Sequence, residues 1–208
     1  MTVDADGVTL EGDLLVPEGA SGIVLFAHGS GSSRFSSRNR YVAEALREGG
    51  LGTLLIDLLT PREEAVDERT AQLRFDIAML ARRLVGATKW LGAQDETKSL
   101  NVGLFGASTG GGAALVAAAE IPDRIRAVVS GGGRPDLAGP ALPRVKAATL
   151  LIVGGDDVPV IEMNRDAYEQ MTAERRMEIV PGASHLFEEP GTLEQVARLA
   201  REWFVRYL

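Results

Sequence analysis

Few side chains in this sequence can do covalent chemistry on a substrate, and those few fall in distinctive settings. There is no cysteine among the 208 residues, which removes thiol nucleophiles, thiolate metal sites and disulfides and leaves serine or threonine for any covalent step. The serine that stands out is Ser108, centred in Gly106-Ala107-Ser108-Thr109-Gly110 between a short apolar stretch from Asn101 and an Ala-rich run to Glu120. That is a strand, a tight turn and a helix. A serine at the centre of such a turn is held in a strained backbone conformation that lifts its hydroxyl clear of the sheet. Glycines flank it because a Cβ at Gly106 or Gly110 would collide with the neighbouring strand or helix. The helix begins directly behind the serine, so its first amides and its dipole face negative charge developing there.

A chain with 24 glycines produces G-x-S-x-G by chance, so the strand before the turn and the helix after it make the pattern informative. Neither phosphate-cradling motif fits the same residues. Ser108 occupies the place of the second glycine in G-x-G-x-x-G, and Gly112, not lysine, follows Gly111. The sequence has only two histidines, His28 and His185, and each comes just after a run that reads as a strand. Asp156 and Asp157 follow another such run, and Asp136 follows the run before that. A serine, an imidazole and a carboxylate at strand ends are the parts of a nucleophile, base and orienter.

The elements that must position these groups alternate along the chain. Val8 to Val16 alternates apolar and polar residues, as an antiparallel edge strand does. Ile23 to Ala27 is a fully apolar run, expected to be a central strand, and empties into His28-Gly29-Ser30-Gly31. Arg38 to Glu48 reads as a helix closed by Gly49-Gly50, and Leu51 to Leu59 as a strand in which Asp57 is the only charge. Thr60-Pro61-Arg62-Glu63 is a capping-box helix start. From about Glu68 to Leu91 the apolar positions keep a helical period, which predicts one long crossover helix with Met79 and Trp90 packed on the core. After Ser108 come strands at Ile125 to Val129, Ala148 to Val153 and Met177 to Val180. Helices are expected at Ile161 to Thr172 and Leu193 to Leu208, the last with Val196, Leu199, Trp203 and Tyr207 toward the sheet. Ser130 to Ala147 leaves room only for a loop. The pattern predicts an α/β fold, a doubly wound, mostly parallel sheet with helices on both faces, in one domain spanning 1–208. In such a sheet ligands bind outside the carboxyl ends of the strands, where all the reactive candidates sit.

Composition narrows the classes further. The formal net charge of −7 without a basic cluster argues against nucleic acid or an anionic membrane as partner. No apolar run approaches the ~18 residues of a membrane span, and MTVDADG lacks the features of a signal peptide, so the cytoplasm is the expected compartment.

With these residues in view, the chain resembles the α/β-hydrolases of the dienelactone-hydrolase-like type over about Val8 to Leu208. The residues that carry the likeness are His28-Gly29-Ser30-Gly31, the Gly106 to Gly110 turn, Gly155-Asp156-Asp157 and Gly182-Ala183-Ser184-His185. The chain order Ser, Asp, His is that of the α/β-hydrolase triad. The resemblance implies a cap-free serine hydrolase that acts on small esters, thioesters or lactones through an acyl-enzyme, with no cofactor and no metal. His185 would be the base and Asp157 its orienter, because related hydrolases place the acid second in this turn with an apolar residue such as Val160 three positions on. Asp156 and Asp136 are the alternatives. The backbone amides of Thr109 and of Ser30 or Gly31 would hold the oxyanion, with His28 shaping that loop and Asp57 anchoring loop amides. Gly31 and Arg34 are candidate substrate contacts, and Arg34, Arg38 and Arg40 could meet a substrate carboxylate or form a solvated helix start. Dienelactone hydrolases proper use a cysteine nucleophile where this chain has Ser108. The same scaffold could instead be a non-catalytic ligand- or partner-binding domain, or run as an acyltransferase or perhydrolase, and it could pair as a homodimer.

Overall fold

A computed structural model describes all residues, 1–208. Eight strands form one sheet: β1 (Thr2–Ala5), β2 (Val8–Leu15), β3 (Gly22–Ala27), β4 (Gly52–Ile56), β5 (Asn101–Ala107), β6 (Ile125–Gly131), β7 (Ala148–Gly154) and β8 (Arg175–Val180). Their spatial order is β1-β2-β4-β3-β5-β6-β7-β8, parallel from β4 to β8 and antiparallel at β1 and β2. Six α-helices cover the two faces: α1 (Ser37–Glu48), α2 (Pro61–Thr70), α3 (Ile77–Leu91), α4 (Thr109–Glu120), α5 (Val158–Gln170) and α6 (Thr192–Tyr207). None is long and apolar enough to cross a membrane.

The central strands are apolar on both faces because both faces are covered. In β3, Ile23, Leu25 and Ala27 join the core beneath α3 and α4, while Val24 and Phe26 join the core beneath α1 and α6. Successive Cβ atoms point to opposite sides of a strand, so one six-residue run serves both cores. Met79 is buried and Trp90 packs at the rim of the first core. The helical stripe of α6 is broader than its spacing suggests. Val196, Ala197, Ala200, Trp203 and Phe204 are buried, while Leu199 and Tyr207 are half-buried. Phe204 reaches the sheet because β5 has Gly103 there, where a Cβ would come within 2.6 Å of its ring.

Three sequence expectations need correction. The strand beginning at Val8 is not the edge, because β1 pairs outside it through a two-residue turn, Asp6-Gly7. Both turn residues have positive φ (51° and 75°), the geometry that matches hairpin twist and that Asp-Gly favours. The long crossover helix is broken. α2 ends at Ala71, a left-handed residue (φ 52°), and a 3-10 turn at Leu73–Phe75 intervenes before Asp76 caps α3 by accepting from the Met79 amide at 2.9 Å. The agent of the break is buried Asp67, whose carboxylate accepts from the Leu73 amide (2.7 Å), the Arg74 amide (3.1 Å) and Arg74 Nε (2.5 Å). The hydrophobic period survives the break, which is why it hides it. Finally, the segment after β6 is not only loop. Pro135–Arg144 is 3-10 structure, kinked at Gly139, and buries Ala138, Ala141 and Leu142. No cap domain is inserted there.

The sheet order reverses direction at β3. From β3 the chain crosses to β4 on one side and then returns to β5 on the other, so the carboxyl ends of β3 and β5 diverge into loops at a topological switch point. The register pairs Ala27 with Gly106, which brings His28-Gly29-Ser30 beside the turn that carries Ser108.

Candidate active site

Ser108 has φ 49° and ψ −123°, a conformation costing about 1–3 kcal/mol for a residue with a Cβ. Its surroundings hold it there. A Cβ on Gly106 would lie 2.5 Å from the Gly110 carbonyl oxygen, and one on Gly110 would lie 2.1 Å from the Ala27 carbonyl oxygen. The chain can therefore turn this sharply only with glycine at both places. Gly110→Ala should lower stability by roughly 1–3 kcal/mol or more, since the clash is with backbone of the central strand, and the urea unfolding midpoint measures it.

Ser108 also occupies the cap position of α4, yet its side chain makes no capping hydrogen bond. A cap serine ordinarily satisfies the second or third helix amide. Here the hydroxyl is left for other work, and the amides at the start of α4 remain directed at the space before it.

His185 follows β8 in the Pro181 to His185 turn, and its Nδ1 donates to Asp157 Oδ2 at 2.6 Å. That bond fixes the tautomer with Nε2 unprotonated when the ring is neutral. Asp157, half-buried at the start of α5, makes no capping bond either, so its carboxylate is committed to the imidazole. Asp156 is exposed, its amide bonded to the Ala183 carbonyl, and Asp136 is held by both Nε and Nη2 of Arg134. The geometry thus separates the three carboxylates that the sequence left open. A residue that sequence reasoning overlooked, Glu189, anchors the histidine turn by accepting from the Ser184 amide at 3.0 Å. That contact, with neighbouring amides, holds its carboxyl below the ordinary value.

Ser108 and His185 line one cavity of about 230 Å3, together with Gly29, Ser30 and the apolar side chains of Val42, Phe105, Phe187 and Leu193. The Ser30 hydroxyl lies 3.1 Å from that of Thr109, tying the β3 loop to the first turn of α4. Neither the Ser30 nor the Thr109 amide donates to a carbonyl among the loop and turn hydrogen bonds.

His28 serves as a bracket. Its Nδ1–H donates to the Gly29 carbonyl at 3.0 Å, and its Nε2 accepts from the Leu58 amide at 3.0 Å, joining the ends of β3 and β4. Burial disfavours the imidazolium and is the largest influence, ahead of the Gly29 bond and the charges of Asp57 and Glu64, so the pKa falls below its ordinary value. The folded state then resists a proton that the unfolded chain accepts, and this contribution to stability is complete above about pH 6.5 and is lost as the pH falls below it. The wild-type unfolding midpoint should accordingly fall faster than that of His28→Gln in that window. Losses from Asp67 and Glu189, whose carboxyls are held low, belong to more acidic pH, below about 4.

Gly31 and Arg34 do not reach the cavity. Gly31 (φ 66°) lies on the far side of the loop near Arg74, and Arg34 is drawn to Glu11 at 2.5 Å and to the Asp57 carboxylate. Asp57 accepts the Arg34 amide at 2.7 Å, so it does anchor the loop, with the guanidinium as a second tie. Opposite charge within hydrogen-bond reach outcompetes solvent for Arg34. The arginine that lines the cavity is Arg38, at the start of α1, part-exposed and 3.7 Å from Glu188.

Comparison with known proteins agrees with this architecture. The model of the dienelactone hydrolase family matches residues 11–206. A crystal structure of a dienelactone hydrolase from Anabaena variabilis superposes with a TM-score of 0.98 at 66% identity, covering 100% of this chain and 96% of that one. Est1E from Butyrivibrio proteoclasticus shares the fold at 17% identity, with a TM-score of 0.82 over 99% of this chain and 97% of its own. A Mycobacterium tuberculosis protein named provisionally as a phosphoribosyl transferase is 59% identical over 206 residues, 99% of this chain. The match covers 46% of that protein, so the chain spans about half the length of the curated relatives it matches. A strained serine at the switch point, the sheet order around it and the family match over nearly the whole length place this chain in the dienelactone hydrolase family.

Proposed function

We propose that the chain is a serine hydrolase that cleaves small carboxylic esters, thioesters or lactones through an acyl-enzyme, with Ser108 as nucleophile, His185 as base and Asp157 as its orienter. One observation carries the reading: the strained Ser108 shares a cavity with an imidazole whose other nitrogen is 2.6 Å from a carboxylate. Ser108 Oγ attacks the acyl carbon while His185 Nε2 takes its proton, and the carbonyl electron pair moves onto oxygen. The oxyanion meets the amides of Ser30 and Thr109 and the positive end of α4. Collapse expels the alcohol or thiol, which receives the proton from His185, and water then repeats the sequence to release the acid. In a lactone the leaving oxygen stays tethered to the acyl chain.

The cavity, at about 230 Å3, lies below the roughly 300–1,000 Å3 of pockets that take drug-sized ligands, which supports small acyl groups. The transferase name belongs to a relative of about twice this length, whereas the part aligned here is the hydrolase-like part. The reading is tested by offering short-chain p-nitrophenyl esters and a fluorophosphonate probe to wild type and Ser108→Ala. Equal behaviour of the two proteins would overturn it.

A further inference from the structure

Among the polar side chains of the cavity wall that the proposed chemistry does not use, Asn39 is the most buried. Asn39, in the first turn of α1, is 6% exposed and lines the space in front of Ser108. Its backbone amide is capped by Ser36 Oγ at 3.3 Å, but its side-chain carboxamide bonds to no protein group. Without a protein partner, the carboxamide is free to bond a group that enters the cavity, and a bound substrate that shut water out without bonding it would leave it unpaired. Val42, Phe105, Phe187 and Leu193 make the apolar part of the same wall, with Ser32, Ser36 and Arg38 also lining it. Asparagine offers both a donor and an acceptor and carries no charge, so it suits a neutral group such as a hydroxyl. An anionic group would be drawn instead to Arg38 at the part-exposed rim.

Resting on the esterase reading above, we infer that Asn39 is a specificity-determining residue: the natural substrate carries a hydroxyl on an otherwise apolar arm, and the Asn39 carboxamide hydrogen-bonds it. Sites built to bond a substrate hydroxyl reject the analogue lacking it far more strongly than apolar pockets reject a missing methylene. The mismatch leaves the buried amide unpaired and desolvated.

The test uses matched pairs of short aliphatic esters that differ only in a terminal methyl against a terminal hydroxyl, placed in one series on the acyl arm and in another on the alcohol arm. Wild type should prefer the hydroxyl member in one of the two series by roughly 10- to 100-fold in kcat/KM. Asn39→Leu, of similar size, should abolish or invert that preference, and Asn39→Ser, which keeps a donor and an acceptor, should retain part of it. A merely structural role for Asn39 would lower both members of a pair together and leave their ratio intact. No hydroxyl preference in either series of the wild type overturns the inference, whether or not the variants fold, as does a ratio unchanged in Asn39→Leu. In those cases Ser108-dependent turnover of the esters leaves the hydrolase reading standing. If wild type turns over no ester of either series, the hydrolase reading fails and takes this inference with it.

Discussion

Ser108→Ala is expected to lower kcat for short-chain esters by about 10^6-fold, to the residual level that binding and oxyanion stabilisation supply without a nucleophile. On the proposed mechanism, the size of the effect follows from the concerted use of the hydroxyl and imidazole. Without Oγ there is no covalent intermediate, and His185 has no proton to move. The same substitution should hardly alter stability. The Ser108 hydroxyl makes no capping bond to α4, and alanine retains the Cβ that the strained backbone already accommodates. A urea midpoint close to wild type, with probe labelling lost, separates a missing nucleophile from a damaged fold. Substantial residual turnover in this variant would remove Ser108 from the mechanism.

Asp157→Asn should reduce kcat by about 10^4-fold, while Asp156→Asn should change it by no more than a few-fold. The two aspartates are adjacent and share a net charge, so a general electrostatic effect would treat them alike. Geometry separates them. Asp157 Oδ2 accepts from His185 Nδ1 at 2.6 Å, while Asp156 points to solvent. In Asp157→Asn the carboxamide can turn its NH2 toward Nδ1, which drives the ring proton to Nε2 and leaves no lone pair to receive the serine proton. Similar losses at both positions would indicate that the imidazole is oriented by something other than Asp157.

The fold was largely legible because its signals are local. Strands buried on both faces read as apolar runs, and Thr60 with Glu63 forms the capping box its spelling announces, with reciprocal bonds of 3.2 and 2.8 Å. The misses were of two kinds. The β1 hairpin was announced by Asp6-Gly7 between alternating residues and could have been found. The break between α2 and α3 could not be found from the apolar period, because Leu73, in the 3-10 turn of the break, packs on the same core as Ile77 at the start of α3. It is set by Asp67 bonding forward to amides beyond the helix end.

By itself the sequence determined the glycine-flanked turn centred on Ser108, the absence of any thiol and the order in which Ser108, the aspartate pair and His185 follow one another, since each depends on residue type and near neighbours. The resemblance already favoured Asp157, but only the tertiary structure set its carboxylate against His185 with Asp156 exposed, withdrew Arg34 from the cavity and brought Arg38 and Asn39 to it. Those outcomes depend on which groups separated along the chain come within hydrogen-bond reach. Arg34 had two possible partners, a substrate or the acidic cluster of Glu11 and Asp57, and the carboxylates that folding places beside it take the guanidinium because paired charges lose less on leaving water than an unpaired one.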